Sequence, residues 1–358
     1  MKIAVLISGG VDSSVALRLL KDQGHELHAF YLKIWLEDDI QFLGDCPWEE
    51  DLQYVREICE EVDVPLEIMP MQKEYFDTVV DYTISEVKAG RTPNPDIMCN
   101  NMVKFGLFLD KIDDTFEKVA SGHYAQTEEQ DGCHFLKRAP DPVKDQTYFL
   151  GRLSQDQLAR IVFPIGHLDK AEVRQLAEKY DLPNQKRKDS QGICFLGKFK
   201  YSEFLRSYLG EKPGNILEYE TGEKIGEHEG FWYHTIGQRR GMKLSGGPWF
   251  VVAKDSEKNI VYISKNYHSE DKKRDELEVG EFNWFAGSAQ LAKDASTANN
   301  LQVKLRHGEQ MYNCQITFEP DDKTAKIKLD QDDQGIAPGQ FAVFYQDDLC
   351  LGSAVILK

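Results

Sequence analysis

Short apolar runs alternate with amphipathic stretches from the first residues to about position 185. Lys2 to Ile7 is apolar beyond its first residue, the pattern of a strand buried on both faces. Val11, Val15, Leu19 and Leu20 then recur at helical spacing until Gly24 ends the pattern. The same reading predicts a second strand from Glu26 to Leu32, a helix from Glu49 to Glu61 and a third strand from Leu66 to Met69. A helix from Tyr75 to Lys88 and a further strand from Lys118 to Ser121 follow. This rhythm predicts an α/β domain, a doubly wound, mostly parallel sheet with helices on both faces. Asp169 and Glu172 are spaced as a reciprocal capping pair flanked by Leu168 and Val173, so another helix is expected to begin there.

After about Lys198 the grammar changes. Asn215 to Glu220 and Glu223 to Gly226, joined through Thr221-Gly222, predict a hairpin, and Trp249 to Ala253 with Ile260 to Ser264 predict another. The charged stretch from Ser269 to Asp275 is the best linker candidate. Beyond it, Val303, Leu305, Ile316, Phe318, Ile327, Leu329, Phe341, Val343, Val355 and Ile356 lie in short alternating strands, the pattern of a small barrel. The expected division is therefore 1–197, a β-rich middle domain over 198–272, and a C-terminal β-barrel over 273–358. No internal repeat or low-complexity tract interrupts it.

Composition narrows the class. The 358 residues suit two to three domains at about 150 residues each. With 41% hydrophobic and 29% charged residues the chain has the make-up of a globular protein. No apolar run approaches the roughly 20 residues of a membrane span. The N-terminus resembles neither a secretory signal nor a transit peptide, so the chain is expected to begin directly with the fold. Seven cysteines, at 46, 59, 99, 133, 194, 314 and 350, form no C-x-x-C pair, against both a disulfide framework and a zinc ribbon. A reducing compartment follows. The net charge of −17 excludes nucleic-acid binding through bulk charge. An RNA partner would need local basic surfaces such as Lys186-Arg187-Lys188, Lys198 with Lys200, or Arg239-Arg240 with Lys243.

The chemistry concentrates in a few strings. Ser8-Gly9-Gly10-Val11-Asp12-Ser13-Ser14 sits between the first strand and the first helix, where glycines admit a phosphate and a helix N-terminus supplies unpaired amides. Its spacing is neither that of a Walker A loop nor that of a dinucleotide fingerprint. The string resembles the pyrophosphate loop of the PP-loop ATP pyrophosphatases, of adenine nucleotide alpha hydrolase-like fold, which adenylate a substrate. In that reading the amides and the hydroxyls of Ser8, Ser13 and Ser14 cradle pyrophosphate and Asp12 helps hold Mg2+. Two cysteines have unusual surroundings. Cys99 follows Thr92-Pro93-Asn94-Pro95-Asp96-Ile97-Met98, whose two prolines predict an extended or turning backbone, and Cys194 lies in a glycine-bounded stretch. Both are expected to be loop cysteines.

The strings SGGVDSS, GRTPNPDIMCN, SGHYA, KDQTYFL, GICFLG and APGQ occur together and in order, and on them the chain resembles the tRNA-specific 2-thiouridylases of the MnmA type over essentially its whole length. The resemblance implies an ATP- and Mg2+-dependent sulfurtransferase that adenylates the C2 oxygen of a wobble uridine and replaces it with sulfur. It implies Cys194 as the persulfide carrier, Cys99 as the second catalytic thiol, pairing with it as a disulfide, and Asp96 as a base or an orienting group. ATP is expected at Leu6, Ile7, Ser8, Gly9, Gly10, Val11, Asp12 and Ser13, with Leu32 and Gly122. The target base is expected at Asn94, Pro95 and Asp96, and tRNA at His123, Lys144, Asp145, Gln146, Arg306, His307 and Gln340. The partners so implied are tRNAs for Glu, Gln and Lys and an upstream persulfide carrier or cysteine desulfurase, with a monomer in the cytoplasm and no membrane.

Departures from the family pattern are His307, where Tyr is common, Ile7 in place of Met, and Cys46 in a divergent insert, to which no catalytic role is assigned. The residues leave three alternatives open: another PP-loop ligase or amidotransferase, which would need no catalytic cysteines; a noncatalytic tRNA-binding relic; and an iron–sulfur variant on Cys99, Cys194 and Asp96.

Overall fold

The computed structural model of the chain describes residues 1–34, 48–189, 201–242, 244–267, 269 and 274–358. The expectations for Cys46, Cys194, Lys198, Lys200 and Lys243 fall outside these residues.

Alternation along one strand organises the N-terminal half. Its elements are β1 (Lys2–Leu6), α1 (Val11–Asp22), β2 (Glu26–Lys33), α2 (Trp48–Glu61), β3 (Leu66–Pro70), α3 (72–88), α4 (95–111), β4 (Lys118–Ala120), β5 (Ala125–Gln130), β6 (Cys133–Arg138), α5 (Gln155–Arg160), β7 (Ile161–Val162) and α6 (Lys170–Lys179). Ile3, Val5 and Ile7 pack on one face with Leu17 and Leu20 of α1 and Val55 and Ile58 of α2. Ala4 and Leu6 pack on the other with Tyr75 and Val79 of α3 and Val103 and Phe108 of α4. The sheet order is β3-β2-β1-β4-β7, and all four pairings are parallel. The chain leaves β1 toward one edge and returns on its other side at β4. A crevice therefore opens beyond the carboxyl ends of β1 and β4, the usual ligand position in an open parallel sheet.

The segment before Cys99 differs from its sequence expectation. Proline is disfavoured inside a helix but fits its first position, where its missing N–H costs nothing. Pro95 takes that position, and the Asn94 side chain caps the helix by accepting from the Ile97 amide at 3.2 Å. Cys99 is therefore helical rather than a loop residue, and it begins a π-helical stretch, Cys99–Leu107. The Asp169 capping pair forms as expected, with both hydrogen bonds at 2.8 Å.

After α7 (Tyr201–Leu209) come β8 (Gly214–Glu218), β9 (Lys224–His228), β10 (Phe250–Asp255) and β11 (Ile260–Ser264), a four-stranded sheet in the order β10-β11-β8-β9. Then follow β12 (Glu276–Trp284), α8 (Gln290–Thr297), β13 (Gln302–Lys304), β14 (Tyr312–Phe318), β15 (Thr324–Leu329), β16 (Phe341–Gln346) and β17 (Leu349–Ile356). The six C-terminal strands close into a barrel, because β12 pairs with both β15 and β17. The β5–β6 hairpin of the first half adds to this barrel, with Leu136 opposite Cys350 and Lys137 opposite Leu349. Among the described residues no helix is long and apolar enough to cross a membrane.

Candidate active site

The glycine loop joins β1 to α1 at the crevice. Gly9 has φ +76°, and a Cβ there would lie 2.6 Å from the Asp51 carbonyl oxygen, so glycine is required on both counts. Helix α1 is N-capped by Gly10 with no side-chain hydrogen bond, which leaves its first-turn amides without a side-chain acceptor. The side chains of Leu6, Ile7 and Val11 are buried, so they offer an incoming nucleotide only backbone.

The hydroxyls mostly hold the loop's own shape. Ser13 Oγ donates to the Gly10 carbonyl at 3.0 Å and accepts from the Ser8 amide at 3.2 Å. Ser14 Oγ is fully buried, donates to the Gly10 carbonyl and accepts from Asn184, which corrects its expected place in the cradle. Ser8 is the exposed member of the three.

Residues from 170 to 189 brace this loop. Asn184 and Arg187 donate to the Gly9 carbonyl at 2.9 and 3.0 Å, and Arg187 also pairs with Asp51. Asp12 Oδ1 accepts from Tyr124 Oη at 2.9 Å and from Lys170 Nζ at 2.7 Å. Lys170 also pairs with Asp189 at 2.8 Å, and Asp189 gathers Lys144 and Arg174, each at 2.6 Å. Burial alone would raise the Asp189 carboxyl, but hydrogen bonds from Lys144 and Lys170 hold it down at about 2.

Opposite the loop, Gly122 touches the first turn of α1: a Cβ on it would lie 2.6 Å from the Ser13 amide nitrogen. His123 is hydrogen-bonded through Nδ1 to Ser121 Oγ at 2.8 Å and sits about 6.0 Å, ring to ring, from both Phe105 and Phe163. Burial pulls its imidazole down to about 3, so it is neutral at physiological pH. Phe105 belongs to α4, the helix that carries Asp96 and Cys99. Contacts thus run from the glycine loop through Gly122 and His123 to the cysteine helix.

The barrel completes that helix's start. Gln340 Nε2 donates to the carbonyls of Thr92 and Pro93 at 3.1 and 2.8 Å, and its Oε1 accepts from Asn94 at 3.2 Å. The Thr92 amide donates to Pro338 at 2.7 Å. Pro93 and Pro95 have no amide hydrogen, so this segment depends on outside donors. Asn94, Pro95 and Cys99 are buried, Cys99 being only 1% exposed, and Asp96 is half-buried.

The residues expected to meet RNA divide into two sets. Arg306 and His307 are exposed. The His307 ring lies against Phe149, centroids 4.7 Å apart, and partial burial lowers its imidazole from the usual range. Asp145 faces inward instead. Its carboxylate is fully buried, accepting from Lys304 Nζ at 2.8 Å, Arg138 Nε at 3.3 Å and Thr147 Oγ1 at 2.8 Å. Gln146 Oε1 is engaged by the Tyr124 amide at 2.9 Å. Leu32 is half-buried at the end of β2, opposite Met69 in the register.

Three family models match the chain: a tRNA methyl transferase HUP domain over residues 1–198, a tRNA methyl transferase PRC-barrel domain over 202–265 and an aminomethyltransferase beta-barrel domain over 274–356. It is 46% identical to the tRNA-specific 2-thiouridylase MnmA of Parabacteroides distasonis, covering 100% of this chain and 99% of that one. It is 44% identical to MnmA of Porphyromonas gingivalis, covering 100% and 99%, and 44% identical to MnmA 1 of Bacteroides thetaiotaomicron, covering 100% of both. The chain belongs to the tRNA-specific 2-thiouridylase family.

Within this 2-thiouridylase the glycine loop lies at the β1–α1 junction, at the carboxyl end of the parallel sheet. Mg2+ usually takes one or two protein carboxylates and completes its shell with phosphate oxygens and water. Asp12 fits as one such ligand through its second oxygen. Among the described residues no group of three or more His, Cys, Asp or Glu side chains is arranged to hold a metal ion. Sequence reading missed Tyr124, Lys170, Asn184 and Asp189. Of these, Tyr124 had a local signal as the fourth residue of the SGHYA string, and Lys170 as the residue after the helix cap at Asp169.

Proposed function

We propose that the chain thiolates the wobble uridine of tRNA in two stages. The uridine O2 attacks the α-phosphorus of ATP, the bond to the bridging oxygen breaks, and pyrophosphate leaves into the glycine loop. The terminal sulfur of a persulfide on Cys194 then adds to C2, and AMP departs with the former O2. Attack of the Cys99 thiolate on Cys194 Sγ breaks the sulfur–sulfur bond. It leaves 2-thiouridine and a Cys99–Cys194 disulfide, which an external thiol reduces.

The chain's own residues divide the work. First-turn amides of α1 and the Gly9–Gly10 backbone receive phosphate oxygens, and Asp12 would hold a Mg2+ ion, which would supply the positive charge to offset theirs. Half-buried Asp96 orients the uracil, while the burial of Cys99 keeps water from competing with sulfur. Arg306, His307 and Lys144 hold the RNA. Substrates are tRNAs for Glu, Gln and Lys, sulfur arrives from an upstream persulfide carrier or desulfurase, and the enzyme acts as a cytoplasmic monomer.

The observation that supports this reading is the contact path Ser13–Gly122–His123–Phe105, which links the glycine loop to the helix that carries Cys99. Nucleoside analysis of tRNA after incubation with ATP, Mg2+ and a persulfide source tests it. Wild type should yield 2-thiouridine, and Cys99→Ser should yield none while still binding tRNA. Full activity of Cys99→Ser removes the mechanism.

A further inference from the structure

We propose that Lys170 is the side chain that takes up the charge of the departing pyrophosphate. This rests on the adenylation reading above and names a residue which that reading does not contain.

Lys170 is the first residue of α6, and its ammonium reaches back across the crevice to Asp12, in the first turn of α1. Only 16% of the side chain is exposed, so its position is set by packing and pairing rather than by solvent. An ammonium carries three donors. Asp12 takes one at 2.7 Å and Asp189 another at 2.8 Å, and a third remains for a ligand at the same helix end.

The arrangement also explains why the seat is clear. A carboxylate in the first turn of a helix tends to fold onto the amides itself. Lys170 and Tyr124 both bind Asp12 Oδ1 and draw that carboxylate aside, while the N-cap is Gly10, which has no side chain to fill the place. As the bond between the α-phosphorus and the bridging oxygen breaks, its electron pair passes to pyrophosphate. A fixed ammonium beside the amides meets that charge without reorganising.

Asp189 ties this cation to Lys144, one of the residues proposed to hold the RNA. The link gives Lys170 a second anchor besides Asp12.

The test is equilibrium binding of inorganic pyrophosphate, and separately of AMP, to the full chain. Wild type, Lys170→Gln, Lys170→Arg and Tyr124→Phe are compared, with circular dichroism as the fold control. Lys170→Gln should weaken pyrophosphate binding by about 10- to 100-fold, as expected for a lost charge-assisted hydrogen bond, with AMP binding changed less than about threefold. Lys170→Arg should keep most of the affinity, and Tyr124→Phe, which removes one of the two donors to Asp12 Oδ1 but spares the ammonium, should lose less than Lys170→Gln. If the Gln variant misfolds, Lys170→Met, which keeps the aliphatic stem, replaces it. Equal pyrophosphate binding by wild type and the natively folded uncharged variant overturns the proposal alone. Failure of pyrophosphate to bind wild type in competition with ATP overturns the adenylation reading and this inference together.

Discussion

Lys304 Nζ lies 2.8 Å from Asp145 Oδ2 across 159 residues of sequence, with both side chains fully buried. The pair fastens the barrel to the catalytic domain where the β5–β6 hairpin joins β17. A buried ion pair adds little net stability compared with a well-packed apolar replacement, but removing one partner strands the other's charge. Asp145→Ala leaves both Lys304 and Arg138 without their carboxylate and should cost about 3–5 kcal/mol. Lys304→Met leaves Asp145 still paired with Arg138 and bonded to Thr147, so it should cost less. Urea unfolding midpoints of the two variants decide the order. An Asp145→Ala protein as stable as wild type would show that the joint contributes nothing.

Gln340 supplies two donors to a proline-flanked segment that lacks its own. Gln340→Leu leaves the Thr92 and Pro93 carbonyls and the Asn94 amide without this partner, an expected penalty of about 1–3 kcal/mol borne by the start of the cysteine helix. Single-turnover thiolation should slow by about tenfold or more on that scale, while binding of ATP is preserved, because Gln340 holds the Thr92–Asn94 segment and, among the described residues, makes no hydrogen bond to the glycine loop. If ATP binding and turnover fall together, the clamp acts on global folding rather than on the catalytic segment.

What the sequence made legible follows from how local each signal is. Ile3 to Ile7 alternate between two apolar layers, and Asp169 and Glu172 sit three positions apart, so the sheet and a helix start could be read directly. The helix at Pro95 was misread because the usual effect of proline reverses at the first helical position, and only the Asn94 cap marks that position. Lys170 with Asp12, Lys304 with Asp145 and Gln340 with Asn94 are pairings across 158, 159 and 246 residues, beyond the reach of any periodicity. The 144–146 string was found as a unit, yet its neighbours part company, Lys144 facing the site and Asp145 the core. Side-chain direction in a turn depends on contacts made elsewhere in the chain.

His123 links stability to acidity. Its imidazole has a folded value of about 3 against 6.5 for a solvent-exposed histidine in the unfolded chain, so the unfolded chain binds an extra proton between those limits. The contribution is fully present above about pH 6.5 and is lost progressively as pH falls toward 3. His123→Gln, which retains an acceptor for Ser121, should show a shallower fall in Tm between pH 6.5 and 5 than wild type. His228 and His234, also lowered by burial, leave part of the slope in place. An unchanged slope in the variant would mean that the imidazole protonates freely in the folded protein.

Gly122 is the sharpest steric test of the crevice. A methyl group there would meet the Ser13 nitrogen at 2.6 Å and the Asp12 carbonyl carbon at 2.8 Å, and both are backbone atoms that cannot rotate away. Relief requires moving the β4 turn away from α1, which displaces the first-turn amides of α1. Overpacking typically costs about 1–3 kcal/mol, so Gly122→Ala should weaken ATP binding by about tenfold or more. The nucleotide-induced rise in Tm should shrink accordingly. Gly132, in the β5–β6 turn, is the control: its φ is +79° but a Cβ there meets nothing within 4 Å. Gly132→Ala should lose about 1–2 kcal/mol of stability from backbone strain and keep the full nucleotide response. If Gly122→Ala responds to ATP as wild type does, the nucleotide is not seated against the turn that Gly122 fills.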